Sequence, residues 1–339
     1  MLKERFSLKI KEEIKDKRLK IIRLDNFPKT NSFAEDVKIG LTSENKFLLP
    51  KYFYDITGSE LFEKICETEE YYPTRAEISI LKNLSHTISE RNQEKNLIVE
   101  LGSGSSFKTN YILQSFLKSR KKLHYIPIDV SDILVESSKN LVEKYEKLFI
   151  TGLVSFYEEG MDYIVKVDKS PKLILFLGSS IGNFTEEEAI NFLRMLKNDI
   201  TSEDRLLIGF DLIKDKKVLV DAYNDKDGVT SEFNLNILRR INNELNGNFN
   251  LNKFEHSAIF NEDKSRIEMH LISKEDQLVF IKDIDEVISF KKGETIHTEN
   301  SYKFTHEMIN SLAKASGMEF SDSYTDDKNY FALCAFKLK

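Results

Sequence analysis

From Leu97 onward the chain alternates between short apolar runs and stretches whose apolar residues recur every three or four positions. LIVEL (97–101), HYIPIDV (124–130), GLVSF (152–156), KLILFLG (172–178) and RLLIGFDL (205–212) read as strands. Lys108, Tyr111, Ile112, Phe116 and Leu117 mark a helix after the first strand, and Ile133, Leu134, Leu141 and Val142 mark one after the second. Thr185 caps a further helix, EEEAINFLRMLKNDI, with three acids in its first turn. KLILFLG is the most apolar run, which suits burial on both faces. Strands and helices in alternation predict a parallel, doubly wound α/β sheet. Ligands of such sheets lie beyond the carboxyl ends of the strands, and Gly102, Asp129, Ser155, Gly178 and Asn183 all fall at or just past those ends.

The pattern differs on either side of this region. Residues 1–20 are charged throughout and read as a solvated, helical extension. Residues 41–77 are rich in aromatics, with a helix start at Gly58-Ser59-Glu60 and another capped by Thr74. Beyond Leu212 the alternation breaks. Residues 221–249 are mostly helical, and SRIEMHLI (265–272), QLVFI (277–281) and GETIHTENSYKF (293–304) alternate as antiparallel strands do. Thr305 then caps a helix and YFALCAFKL (330–338) closes as a strand. The expected division is a charged extension (1–20), a ligand-binding domain (21–75, 96–212 and 304–339) and a smaller α+β lobe (76–95 and 213–303).

Composition narrows the function. A net charge of −6 argues against generic nucleic-acid binding, which needs a basic face. The two cysteines, Cys66 and Cys334, are far apart, and the six histidines show no ligand spacing. No metal is expected, and the location is expected to be reducing and cytoplasmic. The N-terminal stretch has no apolar core of a signal peptide, and no apolar run is long enough to span a bilayer. A monomer acting on a small molecule is the expectation.

The turn LGSGSSFK (101–108) carries the most chemistry. Gly102 and Gly104 let the backbone bend and approach a ligand closely, with Ser103 between them. A dinucleotide fingerprint wants a third small residue where Phe107 stands, so pyrophosphate packing is disfavoured. A cofactor without phosphate, such as S-adenosylmethionine, fits better. Asp129 follows at the distance from which such folds hold ribose hydroxyls.

At this point several strings coincide. YFYDITGSELFEKICETEEYYPTRAE, VELGSGSSFKT, LFLGSSIGNF, DAYNDKDGVTSEFN, SRIEMHL and HTENSYKF together resemble the S-adenosylmethionine-dependent L-histidine Nα-methyltransferases of ergothioneine biosynthesis, over roughly residues 35–339. The resemblance implies a Rossmann-like class I methyltransferase sheet with a smaller substrate-binding lobe, and trimethylation of free histidine to hercynine. It implies that Gly102, Ser103, Gly104, Lys108 and Asp129 hold the cofactor, with Gly178 at its methionine end. Tyr54 would sit by the amine and the transferring methyl. Asn183 and Tyr223 would bind the α-amino and carboxylate groups, and Tyr71, Glu299 and Ser301 the imidazole, with Met269 against the ring. Where the family has an Asp-Phe pair for adenine, this chain reads Ser155-Phe156, a hydrogen-bonding group without charge.

Glu299 and Ser301 alternate on one strand and so share a face, where an acid and an alcohol can pair with two imidazole nitrogens. Each residue also has an ordinary alternative: Glu299 as a surface acid paired with lysine, Met269 as core filler, Asn183 as a turn former, the tyrosines as packing. Competing functions are methylation of another free amino acid such as tryptophan or tyrosine, a nicotinamide-dependent oxidoreductase, and a non-catalytic S-adenosylmethionine-binding module.

Overall fold

The computed structural model describes residues 10–24 and 32–339. The chain opens with β1 (Ile10–Asp16) and β2 (Leu19–Leu24), then α1 (Phe33–Thr42), α2 (Ile56–Glu67) and α3 (Tyr72–Arg91). The alternating region follows as β3 (Leu97–Leu101), α4 (Thr109–Ser119), β4 (Leu123–Asp129), α5 (Ile133–Lys144), β5 (Leu148–Val154), α6 (Tyr157–Val167), β6 (Lys172–Phe176), α7 (Glu186–Asp199) and β7 (Arg205–Asp211). Next come α8 (Lys216–Asp221), α9 (Val229–Leu245), β8 (Phe254–Asn261), β9 (Arg266–Ser273), β10 (Gln277–Ile281), β11 (Glu286–Phe290) and β12 (Thr295–Tyr302). The chain ends with α10 (His306–Ser316), β13 (Met318–Thr325) and β14 (Phe331–Leu338).

Among the described residues nine strands make one sheet in the order β1-β2-β5-β4-β3-β6-β7-β14-β13. β2, β5, β4, β3, β6 and β7 are parallel; β1, β14 and β13 add antiparallel edges. The order reverses about β3, so the crevice for a ligand opens beyond β3, β4 and β6. Strand side chains alternate between two cores. Val99, Ile126, Ile174 and Ile208 pack against α6, α7 and α10, while Ile98, Tyr125, Leu173 and Leu207 pack against α3, α4 and α5. This α/β doubly wound arrangement is the one expected.

A third core belongs to the second lobe. It joins Phe233, Ile237 and Ile241 of α9 to Met269, Leu271, Val279, Ile288 and Ile296. Its strands form a three-stranded sheet, β12-β9-β8, and a hairpin, β10-β11.

Packing redraws the expected boundaries. Val37, Leu41, Phe53, Ile65 and Tyr71 are buried in the third core, so the segment 33–71 packs with the smaller lobe and not with the sheet. α3, expected in the smaller lobe, instead lays Ala76, Ile80, Leu81 and Ile88 on the sheet beside α4. Residues 1–9 of the charged extension lie outside the described residues, but 10–16 are a strand and not a helix. α2 starts at Ile56, because Asp55 already accepts from the Gly58 N–H at 2.6 Å. α3 starts at Tyr72, two residues before Thr74 could cap it, with Pro73 in its first turn supplying a helical φ without needing its N–H satisfied.

Candidate active site

The glycine turn after β3 closes on the end of β4. Asp129 accepts from the backbone N–H of Gly104 at 2.8 Å and of Ser131 at 2.8 Å. The carboxylate still has accepting capacity for a ligand hydroxyl. Gly102 has φ +71°, and a Cβ there would meet the Tyr157 hydroxyl at 2.9 Å. Gly178, at φ +81° just past β6, would press a Cβ to 2.9 Å from Lys108 Nζ.

Lys108 does not stand free. Its ammonium pairs with Glu77 at 2.6 Å, and Glu77 also accepts from the Gly178 N–H at 2.9 Å. Glu77 of α3 is fully buried and thereby ties the turn after β3 to the turn after β6. It lies within the string PTRAE, but nothing in the sequence pairs it with Lys108. Glu100, a carboxylate beside the glycines, is turned away from the crevice. It accepts from Thr109 and Tyr125, and burial pushes it up to about 7.

Two buried hydroxyls in this crevice, Ser103 Oγ and Ser155 Oγ, have no hydrogen-bond partner among the described residues. Phe156 beside Ser155 leaves 51% of its surface exposed. Unpaired buried polar groups are costly, so the glycine cradle, the two hydroxyls, the acid and the open ring suit a polar ligand with an aromatic part. S-adenosylmethionine has those features.

The second half of the site is carried by β12. β9 pairs with it so that Met269 faces Glu299 directly, after a bulge at Thr298. The bulge is held by His297 Nε2 hydrogen-bonded at 3.0 Å to the Glu299 carbonyl. It resets the alternation so that Glu299 and Ser301 fall on the buried side that Ile296 takes before it. Glu299 is 9% exposed. Its carboxylate has no partner among the described residues, and burial pushes it up to about 7 against the pull of Lys303.

A run of rings leads to it. Tyr54, 37% exposed, lies edge-on to Phe62 at 5.6 Å; Phe62 meets Tyr71 at 6.2 Å and Tyr71 meets Tyr223 at 6.1 Å. Burial first, and the Glu299 charge among other neighbours, hold the hydroxyls of Tyr54 and Tyr71 well above the ordinary phenol value. Tyr223 follows α8 and donates to Ser301 Oγ at 2.7 Å.

Asn183 closes a short 3-10 turn, Ser180–Asn183, after Gly178. The turn lies against β12 so closely that a Cβ on Gly182 would stand 2.9 Å from the Tyr302 carbonyl oxygen. The expected substrate residues Tyr54, Tyr71, Asn183, Tyr223, Met269, Glu299 and Ser301 thus come from both lobes.

Sequence reasoning missed three members. Lys303 is fully buried and bonds Ser301, Tyr223 and Asp211; its place four residues after Glu299 was the available signal. Asp211, at the end of β7, holds Lys303 at 2.9 Å and accepts from Tyr72 at 2.8 Å. Tyr157 touches the glycine turn from the start of α6.

No helix among the described residues is long and apolar enough to cross a membrane. The chain is 38% identical to Histidine N-alpha-methyltransferase of Mycolicibacterium smegmatis, covering 92% of this chain and 98% of that one. The enzyme of the same name from Mycobacterium tuberculosis is 37% identical over 89% of this chain and 94% of its own. Ergothioneine biosynthesis protein 1 of Neurospora crassa is 31% identical over 82% of this chain and 32% of that longer one. The family described as histidine-specific, S-adenosylmethionine-dependent methyltransferases matches residues 33–338, and the chain belongs to it.

Proposed function

We propose that this protein transfers methyl groups from S-adenosylmethionine to the α-amino nitrogen of free L-histidine, through the mono- and dimethyl stages to the trimethyl product. The observation that carries this reading is Glu299: a buried carboxylate without a side-chain partner among the described residues, facing Met269 and sharing a face with Ser301.

Gly102, Ser103 and Gly104, Asp129, Ser155, Phe156, Lys108 and Gly178 hold the cofactor in the crevice beyond β3, β4 and β6. When bound, it supplies an electrophilic methyl on a positively charged sulfur. What remains for the protein is alignment and desolvation, which can account for several kcal/mol of a barrier. Tyr54 and Tyr71 stay protonated because burial and the nearby acid oppose their ionisation. The Tyr54 oxygen accepts an N–H hydrogen of the amine and aims its lone pair without adding charge, while Tyr71 stands at the ring with Glu299 and Ser301. Asn183 and Tyr223 hold the α-amino and carboxylate end. Glu299 and Ser301 engage the two ring nitrogens, and Met269 packs beside the ring.

A site with a buried acid discriminates strongly against rings that cannot pair with it, because the acid would be left unsatisfied. Tryptophan and tyrosine can each offer the acid one donor but have no pair of ring nitrogens to meet Glu299 and Ser301 together, which favours histidine. The test is mass spectrometry of the purified protein with S-adenosylmethionine and a pool of the free amino acids. Gains of one, two and three methyl units on histidine alone are expected. Gains on another amino acid instead, or none at all, would overturn the reading.

A further inference from the structure

Resting on that reading, we infer that Lys303 is a positioning residue that fixes the polarity of Ser301, so that the site takes the histidine ring as neutral imidazole and rejects imidazolium. A lysine ammonium has three donors and no acceptor. Lys303 uses one on Ser301 Oγ at 2.8 Å, one on the Tyr223 hydroxyl at 3.1 Å and one on Asp211 at 2.9 Å. Tyr223, the more acidic hydroxyl, donates its single hydrogen to Ser301 Oγ at 2.7 Å.

Ser301 Oγ therefore accepts twice, and both its lone pairs are taken. What it still has is its own hydrogen, so towards the cleft it is a donor only. Tyr223 is left with one lone pair and no hydrogen, which suits an amine N–H and not a carboxylate. Glu299, on the same face, is an acceptor when ionised. One acceptor beside one donor matches a ring with one N–H and one bare nitrogen. Imidazolium would direct its second N–H at the Ser301 hydrogen and bring its charge towards Lys303.

The geometry is held from outside the pocket. Asp211 anchors Lys303 and keeps Lys214 at 2.5 Å and Tyr72 at 2.8 Å. The titratable groups around the pair are Glu299 on β12, Tyr223 after α8, Asp211 and Lys214 at and after the end of β7, Tyr71 and Tyr72 at the start of α3, Tyr54 before α2 and Cys66 within it. None of the tyrosines ionises near neutral pH, since burial raises each of them.

The test is binding without turnover. Histidine is titrated by calorimetry into the protein saturated with S-adenosylhomocysteine between pH 5.5 and 8, where the α-amino group stays charged. In the parent, protonation of Glu299 below about 7 should weaken binding by about tenfold per pH unit, and below the titration of the ring a second loss of about tenfold per unit should add to it. In Lys303→Met, Ser301 regains a lone pair for a second N–H, so the second loss should disappear while the first, which belongs to Glu299, stays. Asp211 keeps Lys214 and Tyr72, so the variant retains a paired acid. A variant with the parent's pH profile would overturn the inference, while failure of the parent to bind histidine at any pH would overturn the functional reading itself. Nitrogen-15 NMR of ring-labelled histidine in the parent complex at pH 6 decides the matter without a variant. Two widely separated ring resonances are expected, and two nearly equal ones, the mark of imidazolium, would refute it.

Discussion

Glu299 and Glu100 are both buried strand carboxylates pushed up to about 7, yet their surroundings give them different roles. Glu100 accepts from two hydroxyls and holds α4 and β4 to β3. Glu299 has no such partner among the described residues and faces the cleft. Glu299→Ala is therefore expected to lower kcat/KM for histidine by about a hundredfold or more, with S-adenosylhomocysteine affinity unchanged in calorimetry. Glu77 acts on the other ligand. Its removal in Glu77→Ala strands the Lys108 ammonium and the Gly178 N–H, at a cost of about 3 kcal/mol. A lower Tm and an S-adenosylhomocysteine affinity reduced more than tenfold should follow, whereas an unchanged affinity would show that the pair does not shape the cofactor crevice.

Elements carry these residues into place, and α9 does most of it in the smaller lobe. Asn234, fully buried on α9, donates to the His270 carbonyl at 3.1 Å and accepts from Thr298 Oγ1 at 2.7 Å, while its amide meets His256 Nδ1 at 2.8 Å. One side chain thus locks the helix to β8, β9 and the bulge of β12. In Asn234→Leu, polar groups at three strands lose partners, and stability should drop by about 2–4 kcal/mol in denaturant unfolding. The KM for histidine should rise more than that for S-adenosylmethionine, because the bulge aims Glu299.

At this scale the sequence was legible where periodicity was strong. The parallel strands β3 to β7 and the Thr185 capping box lie where the pattern puts them. β2, β8, β11 and β13 were not foreseen. FEHSAIFN and EVISF have exposed apolar residues that blur the alternation, such as Ile259 and Val287, and MEFSDSYT is a polar edge strand that needs only β14 beside it.

For the whole molecule, the ion pair between Asp211 of the sheet and Lys303 after β12 joins the two lobes through a fully buried contact. Charge buried in this region makes stability depend on pH. The folded-state value of Glu299, about 7, lies above that of an unfolded glutamate, so the native state binds the extra proton between roughly pH 4.5 and 7. Stability from this group is full below that window and is lost as pH rises through it, by on the order of 3 kcal/mol. Glu299→Gln, neutral at every pH, should raise Tm relative to the parent at pH 8 and leave it unchanged at pH 5. Equal Tm differences at both values would mean that the acid is solvated.

The amino-acid order alone determined the doubly wound sheet, the glycine turn, and the residues of β12 that share a face, because each depends on local periodicity and on backbone freedom at neighbouring positions. It also carried the family's strings. Only the tertiary structure decided that α3 belongs to the sheet and residues 33–71 to the smaller lobe, since an apolar stripe says that a helix is buried but not against what. The pairings of Glu77 with Lys108 and of Lys303 with Asp211 were likewise decided there. Partners 31 and 92 positions apart leave no local trace, and only folding makes leaving such charges unpaired costly.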